Sequence, residues 1–331
     1  MRPFAYERAE DAASAVALLQ AADGRARYLA GGTNLVDLMK LGVETPELLV
    51  DVRRLPHGAV EELPGGGLRI GAAVRMGDLA ADRRVRASYP VLAQALLAGA
   101  SAQLRNAATI GGNLLQRTRC AYFTDVTKPC NKRAPGTGCP AREGHHRNHA
   151  ILGWSDACVA THPSDMAVAL VALGATVQVQ GAGGARTVPM PGLHRLPGDE
   201  PERDTVLEHG ELITAVELEP LPFAARSAYR KARERASFAF ALGSVAAALD
   251  LQDGVVRDCR IALGAVAHAP WRAERAEAAL RGAPATEASF AAAADAELAE
   301  ARPLRENAYK VPLARNLMIR TLASLAAGGT R

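Results

Sequence analysis

Aromatic side chains are scarce in this 331-residue sequence: Phe, Trp and Tyr make up 4% of it. Few platforms are therefore available for stacking bases. A strong charge of either sign is also missing. The 39 basic and 35 acidic residues leave +4, too mild to imply a nucleic-acid partner. No apolar run approaches the roughly 20 residues that span a bilayer, so no membrane insertion is expected. Met1 to Asp11 has no basic segment followed by an apolar one, so no secretory signal of its own and a cytoplasmic location are expected. Five cysteines are an odd count, which argues against a disulfide framework. What remains, 49% apolar and 22% charged residues, is the composition of a soluble globular chain long enough for two or three domains.

The first half reads as alternating helix and strand. Asp11 can cap a helix through about Ala22, and Arg27 to Ala30 is a short strand running into Gly31-Gly32. Leu48 to Val52 and Leu68 to Ile70 read as strands, and Tyr89 to Ala98 as a helix. Ser164 can cap a helix through Leu173, followed by strands at Thr176 to Val179 and Ile213 to Leu218. A boundary is predicted near Pro220 to Ala225. Beyond it, Gly243 to Leu251 and Val255 to Leu263 flank Asp253-Gly254, a strong hairpin signal. Helices are predicted over Trp271 to Leu280, Phe290 to Glu300 and Leu313 to Leu325.

Two segments carry the same chemistry. Ala30-Gly31-Gly32-Thr33-Asn34 directly follows a strand, and Ala108-Thr109-Ile110-Gly111-Gly112-Asn113-Leu114 repeats the paired glycines and the asparagine. Adjacent glycines let backbone N–H groups approach a phosphate closely and form an anion nest. The bland alternative is a plain tight turn, but two such loops in one domain suit a diphosphate gripped from both sides. Neither matches G-x-G-x-x-G or G-x-x-x-x-G-K-[ST], so Rossmann and P-loop readings are unsupported.

Both loops, in this order and separation, resemble those of the FAD-binding (medium) subunit of the molybdenum hydroxylases, the xanthine dehydrogenase and aldehyde oxidoreductase family. The resemblance continues in Pro163-Ser164-Asp165, in Tyr229-Arg230-Lys231 with Arg235-Ala236-Ser237, and in Tyr309-Lys310 with Leu313-Ala314-Arg315. Phe238 departs from the Asp that many relatives carry there. The resemblance implies an α+β fold: a two-part FAD-binding domain of the vanillyl-alcohol-oxidase/p-cresol-methylhydroxylase type, then a smaller α+β C-terminal domain. The implied bounds are 1–222, with subdomains of about 1–56 and 57–222, and 223–331. Carried over by position, Leu29, Ala30, Gly31, Gly32, Thr33, Asn34 and Leu35 correspond to the first pyrophosphate loop, and Thr109, Gly111, Gly112 and Asn113 to the second. Asp165 corresponds to an aspartate that bonds ribityl or ribose hydroxyls, Ile213 to an apolar residue near the ring system, and Lys231 to a lysine at the flavin end. Asp165 is also well placed as a carboxylate at a helix N-terminus. The bland reading of Lys231 is a solvated strand lysine.

A third feature is the stretch from about 116 to 160, rich in Arg, Lys, Pro and Gly, which holds Cys120, Cys130, Cys139 and Cys158 at a spacing of C-x9-C-x8-C-x18-C. It reads as too polar to fold on an apolar core, so a metal staple is expected. Four thiolates can hold an iron–sulfur cluster or zinc, although zinc sites usually take cysteines in close pairs. Free thiols are the third reading. The stretch resembles the extra loop of a subset of bacterial aldehyde oxidoreductase flavin subunits, which carries a 4Fe–4S cluster. His145, His146 and His149 read as solvated loop residues. Cys259 shares strand parity with Val255, Ile261 and Leu263 and reads as a buried structural thiol.

The resemblance implies an electron-transfer flavoprotein subunit in a heterotrimer or a multiple of it. It would take electrons from a 2Fe–2S partner and pass them through FAD to an external acceptor, while a molybdenum-cofactor subunit oxidises an aldehyde or N-heterocycle. The chain itself has no C-x4-C-x2-C signature of plant-type 2Fe–2S binding. Export to the periplasm would require a signal-bearing partner. Two rivals stay open: a self-contained flavin oxidase or reductase, and a zinc-loop nucleic-acid-binding protein, which would leave the glycine loops unexplained.

Overall fold

Asp11 starts the first helix, as its short acidic side chain predicts. Its carboxylate accepts from the Ser14 amide at 2.7 Å while its own amide donates to Ser14 Oγ at 3.1 Å, closing a capping box on the helix Ala12–Ala21. That helix lays Ala15, Val16 and Leu19 on a small parallel sheet of β1 (Ala5–Arg8), β2 (Ala26–Leu29) and β3 (Leu48–Asp51), in the order β1-β3-β2. The computed structural model describes residues 1–22 and 24–329; the last two residues of the expected C-terminal domain lie outside the described residues.

A second, antiparallel sheet comprises β4 (Val60–Glu62), β5 (Leu68–Gly71), β6 (Thr176–Gly181), β7 (Gly184–Pro189) and β8 (Leu212–Leu218), ordered β4-β5-β8-β6-β7. Its core contains Ile70, Val177 and Val216 together with Leu92 and Leu96 of the helix Pro90–Ala98 and Leu170 of the helix Asp165–Leu173. Every residue of Asp165–Leu173 is buried, as expected for a helix apolar all round. Ser164 caps its start and left-handed Gly174 ends it.

The third sheet is β9 (Ser227–Ala232), β10 (Gly243–Gln252), β11 (Val255–Gly264) and β12 (Trp271–Arg272), ordered β12-β11-β10-β9. Asp253 and Gly254 both take positive φ, as the tight hairpin requires. Helices Glu274–Leu280, Glu287–Leu298 and Lys310–Ala326 share its core. Three expectations are corrected here. The helix predicted from Trp271 begins at Glu274, because Trp271 and Arg272 pair with Leu263 and Ala262 at the sheet edge. The last helix begins at Lys310, with Pro312 in its first turn, where a missing N–H costs little. A register slip at Asp250/Leu251 puts Val256, not Val255, on the buried side with Cys259 and Ile261.

The long basic stretch is ordered, with a helical turn at Ala121–Thr124 and a 3-10 turn at Pro140–Arg142. The expectation that it has no apolar core of its own needs correction. Phe123 is fully buried against Leu38 and Cys130, and the Arg117 guanidinium lies 4.7 Å from its ring centre. At its end, the amides of Ile151 and Leu152 both donate to Val266 O, at 2.8 and 3.0 Å, joining the stretch to the C-terminal domain.

Candidate functional site

β2 points its C-terminal end at the first glycine segment, the usual place for a ligand crevice in a parallel sheet. Gly31 is there because nothing larger fits. A Cβ on it would lie 2.1 Å from the carbonyl oxygen of Ala107, so the first segment presses directly on the backbone leading to the second. Gly32 takes φ +72°, which a side chain would strain. The second segment is not the expected open loop but the start of a short helix, Ile110–Leu114, capped by Thr109, whose Oγ1 accepts from Gly112 N at 3.2 Å. Gly111 is packed against Ala72, whereas Gly112 is exposed and faces the first segment. A Cβ there would sit between Thr109 Oγ1 and the Ala30 methyl, at 3.0 and 3.6 Å. The Asn34 side chain ties the segments to the cysteine stretch, its Oδ1 accepting from Arg117 N at 2.9 Å, while its Nδ2 is buried without a partner.

These segments open on one cleft of about 750 Å³. Its walls include Ala30, Gly31, Gly32, Thr33, Asn34 and Leu35 at one end, with Thr109, Gly111, Gly112 and Asn113 opposite, and Asp165, Ile213 and Lys231 further along. Leu29 does not line it; its Cδ1 lies behind Gly32, 3.5 Å from where a Cβ would stand. Lys231 is not solvated. Its side chain is 3% exposed, and Nζ bonds Asp165 Oδ2 at 2.7 Å and Ala98 O at 3.1 Å. Tyr229 donates its hydroxyl to the other carboxylate oxygen. Burial pushes the Asp165 carboxyl up, and Lys231 and Tyr229 oppose that shift. Removing one partner from such a buried pair costs about 3–5 kcal/mol, so the cluster fixes this wall of the cleft. Tyr229 escaped the sequence reading as a site residue. Its signal was available, since it and Lys231 stand two apart on β9 and share a face. The exposed Phe238, with φ +50°, and Phe240 also line the cleft.

Cys120, Cys130, Cys139 and Cys158 line one small cavity, together with Thr118, Lys132 and His149. Among the described residues no three His, Cys, Asp or Glu side chains meet closely enough to hold a single metal ion; the four thiols surround a space. The Ala160 amide donates to Cys158 Sγ, 3.5 Å away. Burial pushes the Cys120 thiol up to about 11 and Cys158 up to about 12, unlike exposed reactive thiolates. Buried Lys132 stands near Cys158 and is anchored by Asp204, which also takes Arg117 Nε at 2.8 Å. Of the three histidines read as solvated, only His145 is exposed. His146 and His149 are buried, the first bonded through Nδ1 to Ala141 O at 3.0 Å and the second through Nε2 to Cys120 Sγ at 3.1 Å. Cys259 lies apart in the C-terminal core, its Sγ 3.9 Å from Glu277 O.

Two facing glycine segments on one cleft of about 750 Å³ define a protein built to hold a dinucleotide-sized cofactor. Comparison with known proteins agrees. Residues 2–222 match the family described as the FAD binding domain in molybdopterin dehydrogenase, and residues 227–325 the CO dehydrogenase flavoprotein C-terminal domain. The chain belongs to this family of FAD-binding flavoproteins of the molybdenum hydroxylases. It is 52% identical over 328 residues to the aldehyde oxidoreductase FAD-binding subunit PaoB of Escherichia coli, covering 99% of this chain and 98% of that one. The glyceraldehyde dehydrogenase medium chain of Sulfolobus acidocaldarius is 29% identical, over 83% of this chain and 79% of that protein. Among solved structures, a chain of carbon monoxide dehydrogenase from Hydrogenophaga pseudoflava superposes with a TM-score of 0.77 at 29% identity, covering 98% of each chain. The expected α+β architecture, FAD domain first, is thus the observed one. No helix among the described residues is long and apolar enough to cross a membrane.

Proposed function

We propose that this chain is the electron-transfer flavoprotein subunit of a molybdenum-containing aldehyde oxidoreductase complex. It passes electrons delivered by a partner's iron–sulfur centres through FAD to an external acceptor, while an aldehyde is oxidised on a molybdenum-cofactor subunit. The observation that carries this reading is the convergence of both glycine segments, Asp165, Ile213 and Lys231 on one cleft, in a chain half identical, end to end, to a subunit of that kind. The cytoplasm is the location included in the proposal.

The residues fit FAD. Gly31 lets the two segments close on each other, the exposed Gly112 leaves room beside the backbone for a diphosphate, and the buried Asn34 Nδ2 is a donor still lacking an acceptor. Asp165, positioned by Lys231 and Tyr229, offers carboxylate oxygens to sugar or ribityl hydroxyls, and Ile213 offers an apolar contact to the ring system. When bound, FAD supplies two-electron storage between one-electron carriers; the protein supplies binding, orientation and the surrounding charge.

The same proposal includes a 4Fe–4S cluster held by Cys120, Cys130, Cys139 and Cys158. Their arrangement around a space, with the Ala160 amide donating to Cys158 Sγ, supports it, because thiolates ligating a cluster carry charge that N–H groups stabilise. Buried Lys132 beside Cys158 adds a positive charge on the same side.

Anaerobic mixing with an aldehyde tests the division of labour. In the assembled complex the flavin absorbance band bleaches within the enzyme's turnover time. In the chain purified without partners the band stays unchanged, and no dye acceptor is reduced. Robust aldehyde oxidation by the isolated chain overturns the proposal in favour of a self-contained flavin enzyme.

A further inference from the structure

We propose that His149 is a positioning residue for the Cys120 sulfur, donating an Nε2–H···S hydrogen bond that raises the reduction potential of the cluster. The inference rests on the proposed 4Fe–4S reading and adds to it a residue outside the cysteine set. Nε2 lies 3.1 Å from Cys120 Sγ, and the imidazole is buried. A ligating sulfur is deprotonated and offers only lone pairs, so an attractive contact at this distance requires the proton on Nε2. A hydrogen bond to a ligand sulfur draws charge from it and stabilises the reduced, more negative cluster.

The C-terminal domain holds this imidazole in place. Asn307, fully buried, donates its side-chain amide to the carbonyls of both His149 and Ala150, at 3.2 and 3.1 Å. Lys310 Nζ clamps Asn148 O at 3.0 Å and Ala265 O at 2.7 Å. His146 is fixed in turn by the Glu306 amide, which donates to its Nε2 at 3.0 Å. The Tyr309-Lys310 segment thus gains a physical role, fixing the backbone that aims His149. The imidazole also stands in a wall. It borders the four-cysteine cavity on one side and, on the other, a second cavity of about 250 Å³ that shares Asp165 and Phe240 with the FAD cleft. Cys120 is the one of the four cysteines that lines both cavities, so His149 sets the sulfur on the side facing the FAD cleft.

The test uses the complex purified anaerobically, first assayed for iron, acid-labile sulfide and FAD, then titrated with redox mediators while the reduced cluster is followed by electron paramagnetic resonance. His149→Phe keeps a ring but removes the donor; His149→Gln keeps a donor. H149F should retain its iron and FAD, and at a fixed ambient potential its reduced-to-oxidised ratio should fall about tenfold, which is 59 mV for a one-electron couple. H149Q should recover most of that difference. If H149F assembles no cluster, H149Q read against the wild type carries the comparison and should show a smaller shift in the same direction. An iron-replete H149F with the wild-type potential overturns this inference alone, as does loss of iron from both variants, which would make His149 a ligand or a structural necessity. A wild-type complex whose iron and sulfide amount only to the partner's 2Fe–2S centres overturns the cluster reading, and this inference with it.

Discussion

Gly31→Ala is expected to yield a folded chain that has lost its flavin. A Cβ at this position meets Ala107 O at 2.1 Å, Ala107 C at 2.8 Å and Ala108 Cα at 2.9 Å, all backbone atoms that no side-chain rotation can move. One methyl group must therefore push the two glycine segments apart. Overpacking of this kind costs about 1–3 kcal/mol. The strain falls on the gap that has to grip the diphosphate, so FAD affinity should drop roughly 10²-fold, equivalent to about 2.8 kcal/mol. Gly112→Val tests the same gap from the other side, where the added side chain would enter the space between Thr109 and Ala30. Absorbance at the flavin band, relative to protein, reads both variants. Full occupancy in both would remove the diphosphate from between these segments.

Cys130→Ser is expected to lose the proposed 4Fe–4S cluster, lowering iron and acid-labile sulfide by about four each per chain. The same loss is expected for Cys120, Cys139 or Cys158, because each lines the common cavity. Cys259→Ser is the control: its sulfur is buried in the C-terminal core, and iron should not change. The stretch from 116 to 160 should loosen without the cluster but not unravel entirely. Phe123 remains packed on Leu38, Asp204 still holds Lys132 and Arg117, and Ile151 and Leu152 stay paired to Val266. Proteolysis inside this stretch should accordingly accelerate more than global unfolding. Metal analysis of anaerobically purified protein that finds about one zinc and no iron or sulfide would contradict the cluster.

Local signals carried much of this fold. The Asp11 and Ser164 caps and the Asp253-Gly254 hairpin are set by the residues themselves, and each forms as its sequence predicts. Trp271 and Val255 went astray for a different reason. An edge pairing with Leu263 and a bulge at Asp250/Leu251 depend on the partner strand, which periodicity along one segment does not contain. The site divides in the same way. Paired glycines announce a close approach, but not that Gly31 approaches the other segment's backbone. The burial of Lys231 depends on Asp165, 66 positions away, and that of His146 on the Glu306 segment, 160 positions away. Long-range partners of this kind made His146, read as solvated, a buried and bonded residue, and removed the solvated alternative for Lys231.

Release of the bound cofactor by heat or acid, followed by chromatographic identification and quantification, decides whether the cleft holds a dinucleotide. With the diphosphate gripped between the two glycine segments as proposed, the assembled protein should release FAD at close to one per chain, with no covalently retained flavin. Release of FMN, which has a single phosphate, or of no flavin at all, would refute the diphosphate grip and the function built on it.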